Sequence, residues 1–274
     1  STYTPQANIA GLSVPIVAEN MGIDQTRNNP RASVEDVYAL IFSDLDKAEE
    51  MLKGKVTEGK VFPDLAVVYG LKARAWLERG SAGVEGAFDK AASYAQQAIL
   101  TSGGSPLTQD QWESPTTGFN NYVANSNSWM WYLPVDTDNV HNLGSFVSHM
   151  CNEETWTSYG WSSARGINKE VYALIPDTDW RKHSWIDPLR SSYYAYKTNR
   201  DVWGDTNSTE KGLPSYASLK FRPAGGEYTD YKKAGAVDIP LMRVEEMYLI
   251  RAEALAMSGG LGGAKGTLNT LIRT

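Results

Sequence analysis

The sequence predicts a mainly α-helical fold, made of tetratricopeptide-like helix pairs and broken by a large irregular, loop-rich excursion carrying short strands. Three observations predict it. Apolar residues recur at three- and four-residue spacing in four stretches, near 33–53, 63–79, 84–100 and 241–272. Small residues recur inside them, where two helices cross closely. From about 102 to 239 that period is gone, and Trp, Tyr, Asn, Ser, Thr, Gly and Pro dominate. Structureless loops longer than about 15 residues are rare unless functional, so this segment reads as a folded excursion supported by the helices. The expected division is an extended segment over 1–32, a tetratricopeptide-like region over 33–101, the aromatic-rich excursion over 102–240, and a helical hairpin over 241–274 that packs on the helical region.

Residues 1–32 are punctuated by Pro5, Gly11, Pro15, Gly22 and Pro30, too often for a long helix. Ser33 reads as an N-cap, with Asp36 three residues on in a variant of the capping box and acids in the first turn. Val34, Val37, Ile41, Leu45, Ala48 and Leu52 form one stripe expected to be buried, and Lys53 with Gly54 supplies the stop. The second helix begins near Pro63 and Asp64 and runs to about Arg79, with Gly80 expected just past its end. Ala66, Gly70 and Ala73 leave room in it for a neighbouring backbone, while Leu65, Val68, Tyr69, Trp76 and Leu77 supply bulk.

A third helix over 84–100 repeats the idea with Val84, Phe88, Ala91, Ala95, Ala98 and Ile99. Two helices joined by about four residues must pack antiparallel. The end of the chain has the same grammar. Val244, Met247, Tyr248, the stem of Arg251 and Leu255 share one face, "GGLGG" is a helix-to-helix turn, and Ala264, Leu268 and Ile272 follow. Arg251 and Glu253 are expected to bridge to neighbouring pairs. Within the excursion, short strands are expected at 129–135, 171–175 and 218–222.

Composition narrows the functions. With 274 residues, 42% of them apolar and 21% charged, the chain can bury a substantial core. A net charge of -6 offers no basic face for phosphates, so no nucleic acid is expected as a partner. The one cysteine, Cys151, has no second thiol for an internal disulfide or a metal site. No window approaches the roughly 18 apolar residues of a membrane span, and the first residues lack the basic and apolar regions of a signal peptide. Two alternatives remain at this point: a cytosolic protein, or an exported one whose export segment lies outside this sequence.

No catalytic, cofactor or metal site emerges. His141, His149 and His183 lack helix-face metal spacing. In "DTDN" at 136–139, Val140 and Val147 stand where a calcium loop needs oxygen ligands. The glycines near the C-terminus have neither the preceding strand of a dinucleotide site nor the spacing of a phosphate loop. Glu153 with Glu154, and Asp177 with Asp179, are too close in sequence to face one glycosidic bond from opposite sides, and "PDTDWRKHSW" reads as a turn.

The aromatic count is the stronger signal. Nine Trp and 15 Tyr against six Phe mean that most ring surface carries a polar handle, which suits half-wet surfaces. "NEETWTSYGWSSARG" places Trp156, Tyr159 and Trp161 near Arg165, and "YYAYKTNRDVWGDTN" places Tyr196 and Trp203 beside Asp201. A flat ring covers the C–H face of a sugar while amide, carboxylate and guanidinium groups take its hydroxyls. Trp156, Tyr159, Trp161, Arg165, Tyr196, Asp201 and Trp203 are therefore the candidate glycan contacts, chosen on composition; the competing reading makes many of these rings gap-fillers in an irregular fold.

Four segments, "PRASVEDVYALIFSDLDKAEEML" (30–52), "FPDLAVVYGLKARAWLERG" (62–80), "IPDTDWRKHSWID" (175–187) and "VDIPLMRVEEMYLIRAEALAMSGG" (237–260) with the following "LNTLIRT", resemble the SusD/RagB nutrient-binding lipoproteins of Bacteroides-type bacteria. In the last, Pro240, Arg243, Glu246, Tyr248, Arg251, Glu253, Asn269 and Arg273 all stand where the family pattern expects them. The resemblance implies tetratricopeptide-like pairs carrying a variable region. It also implies a non-catalytic protein at the outer-membrane cell surface that hands oligosaccharide or polysaccharide to a TonB-dependent, SusC-like transporter. Family members begin with a lipidated cysteine and a further helical pair and usually continue past "LNTLIRT", so the chain is expected to be a truncated portion whose lipid anchor is absent. Alternatives are a RagB-like peptide-binding lid and a plain tetratricopeptide interaction scaffold.

Overall fold

The punctuated N-terminal stretch holds one helical turn, α1 (Ile23–Arg27), in the computed structural model, which describes residues 11–113, 127–152, 159, 163–189, 213–224, 227 and 230–273. Ser33 then opens α2 (Val34–Leu52): its Oγ accepts from the Asp36 N–H at 3.0 Å and donates to the Asp36 carboxylate at 2.6 Å. The expected stop holds, with Lys53 at the C-cap and Gly54 in the left-handed region at φ 74°. The expected stripe is covered in part, with Val37, Leu45, Ala48 and Leu52 half-buried. Only Val34 is buried, and Ile41 is exposed. What α2 turns toward its neighbour is Phe42, stacked on Trp76 at 4.2 Å, and Glu49, which accepts from the Tyr69 hydroxyl. An apolar period survives on a helix covered from one side, but it does not say which edge of the stripe is covered.

Asp64 caps α3 (Leu65–Ser81) by accepting from the Val67 N–H at 2.9 Å. Ala66, Gly70 and Ala73 are buried as the small-residue pattern requires, and α3 packs against α4 (Ala87–Ser102). Lys72, 1% exposed, reaches from α3 to Asp46 at 2.6 Å and Glu49 at 2.5 Å on α2. Burial lowers the pKa of this ammonium, yet the hydrogen bonds to the two carboxylates outweigh it and leave the pKa raised. Breaking such a buried contact strands a charge, so it fixes the register of the two helices.

Gly80 is not a cap. It lies inside α3, whose C-cap is Ala82, and a Cβ there would meet the Phe88 ring of α4 at 2.6 Å. The glycine is the point where the two helices touch. Gly80→Ala is expected to destabilise the protein by about 1 to 3 kcal/mol through overpacking, read as a lower urea midpoint in the helical far-UV signal.

The last helices are α9 (Val244–Met257) and α10 (Leu261–Ile272), numbered after the elements described below. α9 packs on α4 and α3, and α10 packs on α9. Arg74 of α3 grips Glu246 of α9 with two parallel bonds, Nε to Oε1 at 2.5 Å and Nη2 to Oε2 at 2.6 Å. Arg251 bonds Thr267 of α10 as a bridging residue should, whereas Glu253 is exposed. Leu268 and Ile272 are exposed too, and the buried positions of α10 are Ala264 and Thr267. The later glycines of "GGLGG" are helical, Gly263 lying close under Leu255.

These helices, with the described residues up to Gly103 and Val244–Arg273, form one compact unit; Gly104–Arg243 forms a second. The second unit contains α5 (Gln109–Glu113), β1 (Trp129–Leu133), α6 (Phe146–Met150), α7 (Lys169–Leu174), a 3₁₀ turn (Trp180–Ser184), α8 (Tyr231–Gly235) and β2 (Ile239–Arg243). β1 and β2 pair antiparallel, Trp129 opposite Arg243 and Leu133 opposite Ile239, with irregular register between. β1 ends at Leu133, earlier than the expected 129–135: Pro134 has no N–H to donate, and the Val135 N–H goes to the Asp238 carboxylate. β2 was hidden behind the helical pattern that follows it.

The strand expected at 171–175 is helical instead. Asn168 accepts from the Glu170 and Val171 N–H groups and nucleates α7, and local capping overrides the β-branched bias. The third expected strand, 218–222, pairs only at an isolated bridge. The fold is mainly α, and among the described residues no helix is long and apolar enough to cross a membrane.

Candidate functional site

The excursion gains order from a small irregular ladder within the second unit. Its middle stretch, 216–219, bonds on one side to 165–167 and on the other to 184–186. The Ser218 N–H donates to the Arg165 carbonyl and the Ile167 N–H to that of Tyr216; the Ile186 N–H donates to Ala217 and the Leu219 N–H to Ser184. Ile186, Leu213, Ala217 and Leu219 form the dry cluster beneath, with Ala164 against it. Gly166 is required there, since a Cβ would lie 2.6 Å from the Tyr216 carbonyl oxygen. Tyr216 itself is held at φ 69° and Phe221 at 62°, left-handed conformations that bulky residues rarely adopt.

Asn152 ties this ladder to α6. Its side chain, 1% exposed, donates to the Arg165 and Ser218 carbonyls at 2.7 and 2.8 Å and accepts from the Arg165 N–H at 2.9 Å. Three of the four hydrogen bonds open to a primary amide are thus made inside the protein. α6 is anchored in turn: Ser145 caps it, and Val147 and Cys151 are buried with Val237.

Two of the seven residues chosen from composition lie in this framework. Arg165 is pinned through its backbone and leaves its side chain exposed. Tyr159 is 42% exposed, stacks on His149 with ring centroids 4.8 Å apart, and accepts from the Ser163 N–H through its carbonyl. Trp156, Trp161, Tyr196, Asp201 and Trp203 lie outside the described residues.

A second aromatic group escaped the sequence reading. The half-buried Trp112 meets Trp180 edge-on at 5.9 Å, donates its indole N–H to Ser184 Oγ at 2.6 Å, and has Lys220 and Arg243 near its ring at 5.4 and 5.7 Å. Beside it His183 Nδ1 pairs with Glu113 at 2.7 Å. Nothing local in sequence links 112 to 180 or 220; the ladder sets Ser184 beside Leu219, and Trp112 joins it through its bond to Ser184.

The acids of "PDTDWRKHSW" are committed locally. Arg181 grips the Asp179 carboxylate with two bonds, which holds its pKa below the usual carboxylate range against the opposing effect of burial, and Lys182 pairs with Asp177 at 2.7 Å. Nearby, burial first and then Asp187 and Asp177 push the Tyr172 hydroxyl up to about 12, so it stays a neutral donor. Asp136 Oδ1 accepts from the Asp138 and Asn139 N–H groups, closing a turn. A groove of 670 Å³ along α2, past Phe42, Asp46 and Glu50, mixes both charges and offers one ring.

Among solved structures the chain is similar to a SusD-like carbohydrate binding protein from Bacteroides vulgatus, at 23% identity and a TM-score of 0.70 over 95% of this chain and 48% of that one. A SusD superfamily protein from Bacteroides thetaiotaomicron matches with 19% identity and a TM-score of 0.65, over 96% of this chain and 52% of that one. Surface glycan-binding protein A from the same species, in complex with laminarihexaose, matches with 15% identity and a TM-score of 0.57, over 88% of this chain and 54% of that one. The chain spans about half the length of these structures. No family model and no curated protein matches it. At such identities what is shared is the fold.

Proposed function

Starting from the SusD-like fold that this chain carries, we propose that it is a non-catalytic cell-surface protein that binds an oligosaccharide or polysaccharide and delivers it to a TonB-dependent outer-membrane transporter. The supporting observation is a likeness that runs through nearly the whole chain, excursion included, to proteins described as carbohydrate binding, one of them solved with a bound hexasaccharide. The excursion supplies fitting surface chemistry in the exposed Tyr159 ring and the exposed Arg165 side chain, the latter on a backbone pinned by Asn152. Asp177 and Asp179, the described acid pair, are each engaged with a basic neighbour, which favours binding over hydrolysis. Trp156, Tyr159, Trp161, Arg165, Tyr196, Asp201 and Trp203 are the proposed contacts.

Each ring should contribute about 1 kcal/mol beyond its buried area. Binding is then spread over subsites. Replacing Trp156, Trp161 and Trp203 together with Ala is expected to weaken retention on a polysaccharide gel by about a hundredfold, with helical content intact. Normal retention by that variant would overturn the site assignment. Calorimetry showing binding to peptides and to no glycan would replace the sugar by a peptide, and steady release of reducing ends would restore an enzyme.

A further inference from the structure

We infer that α2 is a hinged strap on the helical unit, held mostly by charges and rings, which opens as one piece while α3, α4, α9 and α10 stay packed. The seams of this unit differ in kind. α3 and α4 bury small residues along their length, Ala66, Gly70 and Ala73 on one and Ala91, Ala95 and Ala98 on the other, and Gly80 lies against the Phe88 ring. α2 buries Val34 alone. Its hold on α3 is a row of polar and aromatic contacts. Glu35 accepts from Arg79 Nη2 at 2.6 Å, the Tyr38 ring lies 4.8 Å from the same guanidinium, Phe42 stacks on Trp76, and Asp46 and Glu49 accept from Lys72. Positions rising along α2 meet positions falling along α3, so the row runs the length of an antiparallel pair.

Such a row opens at low cost. Buried apolar surface loses its whole hydrophobic gain on reaching water, whereas separated ion pairs exchange each other for hydration. Removing the partners of Lys72 would strand a charge; lifting the helix hydrates all three groups together. The ends of α2 suit a hinge. Ahead of it, the Val34 N–H donates to the Gly11 carbonyl and the Ser13 N–H to that of Ala32, so this stretch moves with the helix. Behind it, the connection to α3 places Gly54 and Gly59 in the left-handed region and leaves Val56 and Phe62 exposed. Opening uncovers one face of α3, with Tyr69, Lys72, Trp76 and Arg79 three or four residues apart: a cationic and aromatic strip that the acids of α2 engage in the closed state.

The test is hydrogen exchange read by mass spectrometry on the full chain at neutral pH, with and without low urea. In the unmodified protein, after correction for intrinsic rates, the amides of α2 are expected to exchange as a group, about a hundredfold or more faster than those of α3 and α4. The opening exposes little apolar surface, so its dependence on urea should be weak. Asp46→Asn combined with Glu49→Gln leaves the Lys72 ammonium in its seat without a counter-charge, and should speed α2 exchange by about a further tenfold or more. Exchange of α2 in step with α3 and α4 in the unmodified protein would overturn the inference, and that measurement needs no variant to fold. Unchanged α2 exchange in the double variant would overturn it as well, because the hold would not be ionic.

Discussion

Trp129→Ala is expected to destabilise the Gly104–Arg243 unit by about 3 to 5 kcal/mol, the cost of emptying a large indole site that collapses only in part. Trp129 is fully buried, stands opposite Arg243 in the β1–β2 pair, and tilts against Tyr132 at 5.7 Å. Met130 beside it and Met242 of β2 are buried as well, so truncation opens space next to the two strands that close this unit. The measurement has a natural probe. Of the nine tryptophans only Trp76 lies outside Gly104–Arg243, so tryptophan emission reports on this unit while far-UV ellipticity is dominated by the long helices of the other. The expected result is a lowered urea midpoint in emission that exceeds any shift in ellipticity. A change below about 1 kcal/mol would mean that the strands hold without the indole.

Asn152→Ala comes next, at about 2 to 4 kcal/mol. It strands the Arg165 N–H and the Ser218 carbonyl, and an unmet buried polar group costs about 1 to 3 kcal/mol. The Arg165 carbonyl keeps its bond from Ser218 N–H and suffers less. Asn152→Asp is the sharper variant. It leaves no cavity, but it sets a carboxylate against two carbonyl oxygens where the amide donated at 2.7 and 2.8 Å. At neutral pH it should be at least as destabilising as the alanine. Because the folded site favours the protonated carboxyl, stability should be regained as the pH falls and lost as it rises. Denaturation at about pH 4 and pH 7 separates the two variants: a pH-independent Asn152→Asp would show that Asn152 does not donate to these carbonyls.

Legibility followed the range of the interactions. The ends of α2, the start of α3 and the pairing of α3 with α4 were readable, because helix ends and crossings are written within a few residues. Gly80 shows the limit. The glycine is visible in sequence, but whether it ends a helix or admits Phe88 depends on a side chain from the next helix. The same holds for α7, where Asn168 outweighed the β-branched residues, and for β2, whose partner lies more than a hundred residues earlier in the chain.

Of the candidate site, the sequence supplied the choice of Tyr159 and Arg165 by residue chemistry alone. Their neighbours His149 and Asn152 carried no signal, since a buried asparagine and an exposed histidine look like any others until the loop closes.

By itself, then, the sequence determined the long helices, the ends of α2 and the extent of the aromatic segment. These follow from periodicity and composition, which are properties of short windows. Only the tertiary structure decided how far α2 is covered, that Arg74 grips Glu246 of another helix while Arg251 bonds Thr267, and that Asn152 joins Arg165 to Ser218. Such contacts depend on backbone groups brought together across long separations, and the identities of the residues between them do not encode the meeting.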